Sequence, residues 1–181
     1  MVYLFLANGF EEVEALTPLD YMRRCEEIQV KSVAIGNELA VTGSHQITVM
    51  ADILIKDIVL EDIQMIVLPG GMPGTLNLEA CQALQKIIDY CHEKHLWIGA
   101  ICAAPSILGH KNLLQGKKAT CYTGFEEQLF GAQTTKQAVV QDDHIITARG
   151  AGVANQFAFE LISALCGKQR AQLLKAGVLW E

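Results

Sequence analysis

Cys102 follows the apolar run Leu96-Trp97-Ile98-Gly99-Ala100-Ile101 and precedes Ala103-Ala104-Pro105. The length of that run, its aromatic and β-branched residues and the Lys94-His95 break before it predict a strand. Pro105 suits the first turn of a helix, where its missing N–H breaks no helix bond. A cysteine at a strand-to-helix turn aims its sulfur at unpaired N–H groups, which favour a thiolate. The same residues fit a buried, inert cysteine equally well. Two further strand ends carry residues able to do chemistry. Val2 to Leu6 leads to Glu11, Glu12 and Glu14, and Gln64 to Leu68 leads to Pro69-Gly70-Gly71. The two glycines would let backbone N–H groups approach an oxyanion, with the N–H of Ala103 as a second donor. A glutamate touching the thiol would keep its proton, because two like charges in contact are unfavourable. Taken alone, Glu11 and Glu12 read as a solvated helix start, and Pro69-Gly70-Gly71 reads equally as a tight loop.

The elements that must position these residues alternate. Short apolar strands are expected at Val2–Leu6, Gln29–Ile35, Gln64–Leu68 and Leu96–Ile101, with a shorter one at Ala119–Tyr122. Helices are expected from Glu11 to Arg24, Glu79 to Lys94, Val153 to Leu165 and Arg170 to Ala176, Gly167 stopping the third. Residues 39 to 55 suggest a hairpin around Thr42-Gly43-Ser44-His45, and 138 to 148 another about Asp142-Asp143. Residues 125 to 130 form a short helix or loop, and Arg149-Gly150-Ala151-Gly152 a turn. Strands alternating with helices imply a mainly parallel sheet covered on both faces. In such sheets sites form beyond the carboxyl ends of the strands. If the strands ending near Leu6, Leu68 and Ile101 are neighbours, a carboxyl, a loop of bare backbone and a thiol converge.

A chain of 181 residues predicts one domain, 1–181, able to bury about 70% of its unfolded surface. The net charge of −6, without a basic block, argues against nucleic acid as the main partner. No apolar segment approaches membrane-spanning length, and Met1-Val2-Tyr3 lacks the basic residues of a signal peptide. Six cysteines without a CxxC pair fit free thiols in a reducing cytoplasm.

Phe10-Glu11-Glu12-Val13-Glu14, Leu68-Pro69-Gly70-Gly71, Ala100-Ile101-Cys102-Ala103-Ala104-Pro105 and Thr147-Ala148-Arg149-Gly150-Ala151-Gly152 together resemble the ThiJ/PfpI superfamily. Within it they resemble the branch of the parkinsonism-associated deglycase and the bacterial YajL-like proteins, and the resemblance covers essentially the whole chain. It implies a flavodoxin-like three-layer α/β sandwich, a homodimer and a cytoplasmic stress-response protein. By position, the family's reactive cysteine matches Cys102 and its partner glutamate, protonated and bonded to the sulfur, matches Glu14. The oxyanion and substrate-binding positions fall on Gly70, Gly71, Ala103 and Tyr122. The activities it implies are cofactor-independent action on small reactive aldehydes or glycated groups, of the glyoxalase III or deglycase type, together with chaperone action and redox sensing. Some bacterial members carry a thiazole monophosphate biosynthesis label. No cofactor and no metal is needed for this chemistry.

One departure is informative. Deglycase-type relatives place a histidine beside the cysteine where this chain has Tyr122. A phenol is a poor base at neutral pH but can donate a hydrogen bond to a substrate oxygen. Ala103 stands where PfpI-type peptidases have a histidine, so a peptidase reading is poor. The histidines fit surfaces and helix ends; His92 and His95 read as a solvated helix end rather than as metal ligands. His45 falls where the branch has a basic residue near the dimer interface. The expectation for Cys102 is that it is the most acidic of the six thiols, with a pKa drawn down toward about 6 from the ordinary thiol value.

Overall fold

The computed structural model describes residues 1–180. The chain opens with β1 (Val2–Leu6), all five of whose residues are buried. Its side chains alternate between two cores: Leu4 and Leu6 enter one, Tyr3 and Phe5 the other. Helix α1 (Glu12–Arg23) follows, with Glu11 as its N-cap. Next come β2 (Val30–Ala34), a hairpin of β3 (Ala40–Thr42) and β4 (Thr48–Met50), and the two-residue β5 (Ile53–Leu54). After β6 (Met65–Leu68) the chain forms α2 (Gly74–Ala80) and α3 (Gln82–Glu93). Strand β7 (Trp97–Ile101) then leads to α4 (Pro105–His110). The last third holds β8 (Lys118–Ala119), β9 (Gln133–Thr134), β10 (Val139–Asp142), β11 (Ile145–Ala148), α5 (Ala154–Cys166) and α6 (Lys168–Gly177).

Seven strands form the central sheet in the order β10-β11-β7-β6-β1-β2-β5, parallel except for β10. Apolar residues of α1, α5 and α6 (Leu19, Met22, Phe157, Leu161, Leu174) join one core, and those of α2, α3 and α4 (Leu78, Leu84, Ile88, Ile107, Leu108) join the other. The result is the expected flavodoxin-like three-layer sandwich. The condition on the strands is met: β7, β6 and β1 are consecutive, so the loops after Ile101, Leu68 and Leu6 emerge side by side.

Two of the differences from expectation move cysteines. The helix expected from Glu79 is two helices, because Cys81 takes an extended backbone (φ −76°, ψ 101°) between α2 and α3. Cys81 therefore lies at a helix junction, not in a helix interior. The strand expected over Ala119–Tyr122 stops at Ala119. Cys121 and Tyr122 leave it to turn over β7, and the Tyr122 N–H donates to the Cys102 carbonyl at 2.8 Å.

Candidate active site

Cys102 terminates β7 with φ +67°, a left-handed conformation that bends the chain sharply before α4. Its own N–H donates to the Ala148 carbonyl of β11 at 2.9 Å, which fixes the elbow to the neighbouring strand. The N–H groups of Ala103 and Gly71 both point at the sulfur and favour its charged form.

Glu14 reaches the same sulfur from the first turn of α1. The Glu11 side chain caps that turn, accepting from the Glu14 N–H at 2.7 Å. The Glu11 N–H in turn donates to the Gly70 carbonyl at 2.9 Å. Glu14 is 1% exposed, and its carboxyl accepts from the Gly70 N–H at 3.0 Å and from the Ala151 N–H. Gly70 thus orients the glutamate through its N–H. A side chain at Gly70 has no room, since a Cβ there would lie 2.6 Å from both the Cys102 Cβ and Glu14 Oε2. Gly71 has φ +91°, and a Cβ there would meet the Glu11 backbone nitrogen at 2.4 Å. Replacing Gly71 with valine would disturb the backbone that carries Glu14, so that variant cannot separate an oxyanion role from a structural one.

The electrostatics reverse the expectation for the thiol. Burial, and then the Glu14 carboxylate, push Cys102 up to about 12, while burial pushes Glu14 up to about 7. α4 has only six residues, so the N–H groups at its start do not outweigh burial and a neighbouring carboxylate. Nor does acidity single out Cys102, since burial alone pushes Cys91 to about 12 as well. What distinguishes Cys102 is its surroundings: two backbone donors and a carboxyl able to share its proton at neutral pH.

The pair borders a cleft of about 330 Å³ lined by Tyr122, Thr123 and residues Arg149 to Val153. Gly150 connects the two. A Cβ on it would lie 3.4 Å from the Tyr122 ring, 3.6 Å from Glu14 Oε1 and 3.9 Å from the sulfur. Tyr122 lines this cleft and is 54% exposed. Arg149, which the residue patterns left unassigned, donates to Thr123 Oγ1 at 3.0 Å on the cleft wall. Its place after β11 was the available signal. A larger cleft, about 630 Å³, opens between the ends of β1 and β2 and α2. It touches none of the candidate residues.

Glu12 is not a solvated residue of the helix start. It is 4% exposed and accepts from the His45 N–H at 2.7 Å, with His45 Nδ1 also at 2.7 Å. His45 thus binds within its own chain. Burial raises the Glu12 carboxyl, but the hydrogen bonds from His45 outweigh it and hold the pKa below the ordinary value. The bonds to Glu12 in turn raise His45.

An α/β sandwich with a cysteine elbow, a capped helix presenting a buried glutamate to the sulfur and a glycine loop between them defines a class of protein. Residues 1–164 match the model of the DJ-1/PfpI family, and the chain belongs to that family. It is 36% identical over 172 residues to protein DJ-1 homolog B of Arabidopsis thaliana, covering 94% of this chain but 39% of that protein. The chain therefore spans well under half of that relative. It is 29% identical to Drosophila melanogaster protein dj-1beta, covering 97% of this chain and 95% of the relative. Among solved structures, a cysteine-to-alanine mutant of a DJ-1 superfamily protein from Salmonella typhimurium superposes with a TM-score of 0.93 at 28% identity, covering 99% of this chain and 98% of that one. Oxidised Toxoplasma gondii DJ-1 also gives 0.93, at 31% identity, covering 99% and 97%. Among the described residues no helix is long and apolar enough to cross a membrane.

Proposed function

We propose that the chain converts small reactive carbonyls, with Cys102 as nucleophile and Glu14 as acid and base. The supporting observation is the pairing of a buried carboxyl raised to about 7 with a sulfur that receives two backbone N–H groups. Between about pH 7 and 12 one proton remains on the pair and rests on sulfur. The reactive arrangement forms when that proton passes to Glu14 and leaves the sulfur charged. With methylglyoxal the sulfur bonds to the aldehyde carbon and the Glu14 proton passes to the aldehyde oxygen. The ionised Glu14 then removes hydrogen from that carbon and returns a proton to the adjacent one, while the proton on the first oxygen passes to the neighbouring oxygen, so that the first carbon becomes a carbonyl and the second carries the hydroxyl. The resulting thioester is cleaved by water, giving lactate and restoring the pair. The N–H groups of Gly71 and Ala103, which face the sulfur, would turn to the oxygen that becomes charged, where one such donor is typically worth about 3 kcal/mol of barrier. Glycated groups that release a dicarbonyl would enter the same route. Lactate formation by purified protein tests this reading: turnover must be present in wild type and lost in both Cys102→Ser and Glu14→Ala.

A second reading rests on the same donors. Tyr122 supplies no base where deglycase-type relatives have a histidine, and the N–H groups around Cys102 suit oxygens added to the sulfur by peroxide. A dimeric redox sensor or chaperone would show no lactate turnover. Mass spectrometry would then find oxygen on Cys102 before the other five thiols.

A further inference from the structure

A second constellation lies at the opposite end of the sheet from Cys102. His144 immediately precedes β11, and His95 lies in the turn between α3 and β7. β7 and β11 pair in parallel with Ile98 opposite Ile145, and the Ile98 N–H donates to the His144 carbonyl at 2.9 Å. Their entry points are therefore adjacent. Asp143 stands at the tip of the β10–β11 turn and His92 in the last turn of α3. One ligand atom from each of His95, Asp143 and His144 lies within 4.8 Å of the others.

His144 is 5% exposed. Its Nδ1 is 3.0 Å from Asp143 Oδ2, but the approach lacks hydrogen-bond alignment, so among the described residues Nδ1 is a buried nitrogen with no hydrogen-bond partner. Nε2 lies 3.2 Å from His92 Nδ1. A cation at Nδ1 would use the free lone pair and leave Nε2–H to donate to His92. That is the arrangement by which ligating histidines are oriented.

We propose that His95, Asp143 and His144 hold a divalent transition-metal ion, zinc being the best match, with His92 as the positioning residue. Two imidazoles and one carboxylate form a borderline donor set suited to zinc, whereas calcium and magnesium require mostly oxygen. Ligand atoms about 2.0–2.1 Å from a tetrahedral zinc stand roughly 3.3 Å apart, so the exposed side chains of His95 and Asp143 need only close slightly. Water completes the fourth position. Lys117 Nζ also contacts Asp143 Oδ2, at 3.0 Å, which makes the carboxylate the weakest of the three ligands. The ion would fasten the β10–β11 turn to the end of α3, and it takes no part in the chemistry proposed for Cys102.

The test is calorimetric titration of zinc into the chelator-treated full chain carrying Cys102→Ser, which removes competition from that thiol. One ion per chain is expected. Affinity should fall at least about tenfold in His95→Asn and in Asp143→Asn, and His92→Leu should weaken binding by about 10–100-fold. Because His144 is buried and its variants risk unfolding, the exposed His95 carries the decisive comparison. The cobalt form should show a visible spectrum without a thiolate charge-transfer band. A second group, Glu11, Glu12 and His45, also brings three ligand atoms within 4.8 Å of one another. Loss of binding in Glu12→Gln would move the ion there and overturn the proposal, as would undiminished binding in His95→Asn, a thiolate band or the lack of any saturable binding.

Discussion

Folding carries Glu14 from water to a site 1% exposed, and burial raises its pKa from 4.5 to about 7. Between those two values the folded chain binds more protons than the unfolded one, so stability falls as pH climbs through that window. Above it the loss is complete, at about 3 kcal/mol. Glu14→Gln removes the titration and keeps an oxygen for the Gly70 N–H. Urea melts at pH 8 should find this variant more stable than wild type by about 1–3 kcal/mol, and at pH 4 nearly equal to it. Equal destabilisation at both pH values would mean that Glu14 is not held against its charge. The same substitution removes the carboxylate that helps push Cys102 up to about 12. Alkylation rates against pH should therefore place the Cys102 pKa lower in Glu14→Gln than in wild type, even though carbonyl turnover is lost. A thiol that titrates identically in both proteins would separate the two side chains and undo the pairing.

At the scale of elements, a buried carboxylate fastens the β3–β4 hairpin to α1. Glu12 accepts from the backbone and ring of His45, and a Cβ at Gly43 would collide with it, 2.3 Å from Oε1. Glu12→Ala leaves these donors unpaired and should cost about 2–3 kcal/mol. Hydrogen exchange should quicken selectively across residues 40 to 50. The Glu12 pKa is lowered, so its contribution is present above the unfolded value and is lost as pH falls through the folded one. The His45 pKa is raised, so its contribution is full below the unfolded value and fades as pH rises through the folded one. The link is therefore strongest in mildly acidic solution. A different constraint joins α5 to the sheet. A Cβ on Gly99 would lie 2.7 Å from Leu161 and 3.1 Å from Phe157. Gly99→Val should then destabilise by about 1–3 kcal/mol through overpacking, measurable as a lower denaturant midpoint with unchanged slope.

For the whole molecule, the order of strands and helices was legible because most buried strands are short apolar runs closed within three residues by glycine, proline or the cysteine elbow. Cys102 and Gly71 were legible as residues beyond strand ends and Glu14 as one of three acidic residues opening α1, singled out only by the family resemblance; their convergence needed that β7, β6 and β1 be neighbours. Features created by tertiary contact were not legible. Glu12 has the residue type of a solvated helix start and is buried only because the hairpin closes over it. The Cys102 shift follows burial, which sequence does not display, and His144 meets His92 and His95 only through the parallel register of β7 with β11. Assembly into a dimer is open to the same reasoning from surface to partner. Val13 is 48% and Ile47 53% exposed, and both line a shallow cleft along α1 with Leu16, Tyr21 and Asn155. Arg24, just past the end of α1, is paired with Asp20 of its own helix at 2.9 Å, so apolar contact would carry the interface. If, as the family resemblance implies, a two-fold axis runs beside Val13, the same patch of each copy would meet, and a stable interface of this kind buries about 800 Å² per partner. Light scattering at micromolar concentration should give twice the chain mass for wild type and the single-chain mass for Val13→Glu. Val59→Glu, at another exposed apolar position, should leave the dimer intact. A monomeric wild type, or dissociation by Val59→Glu but not by Val13→Glu, would remove α1 from the interface.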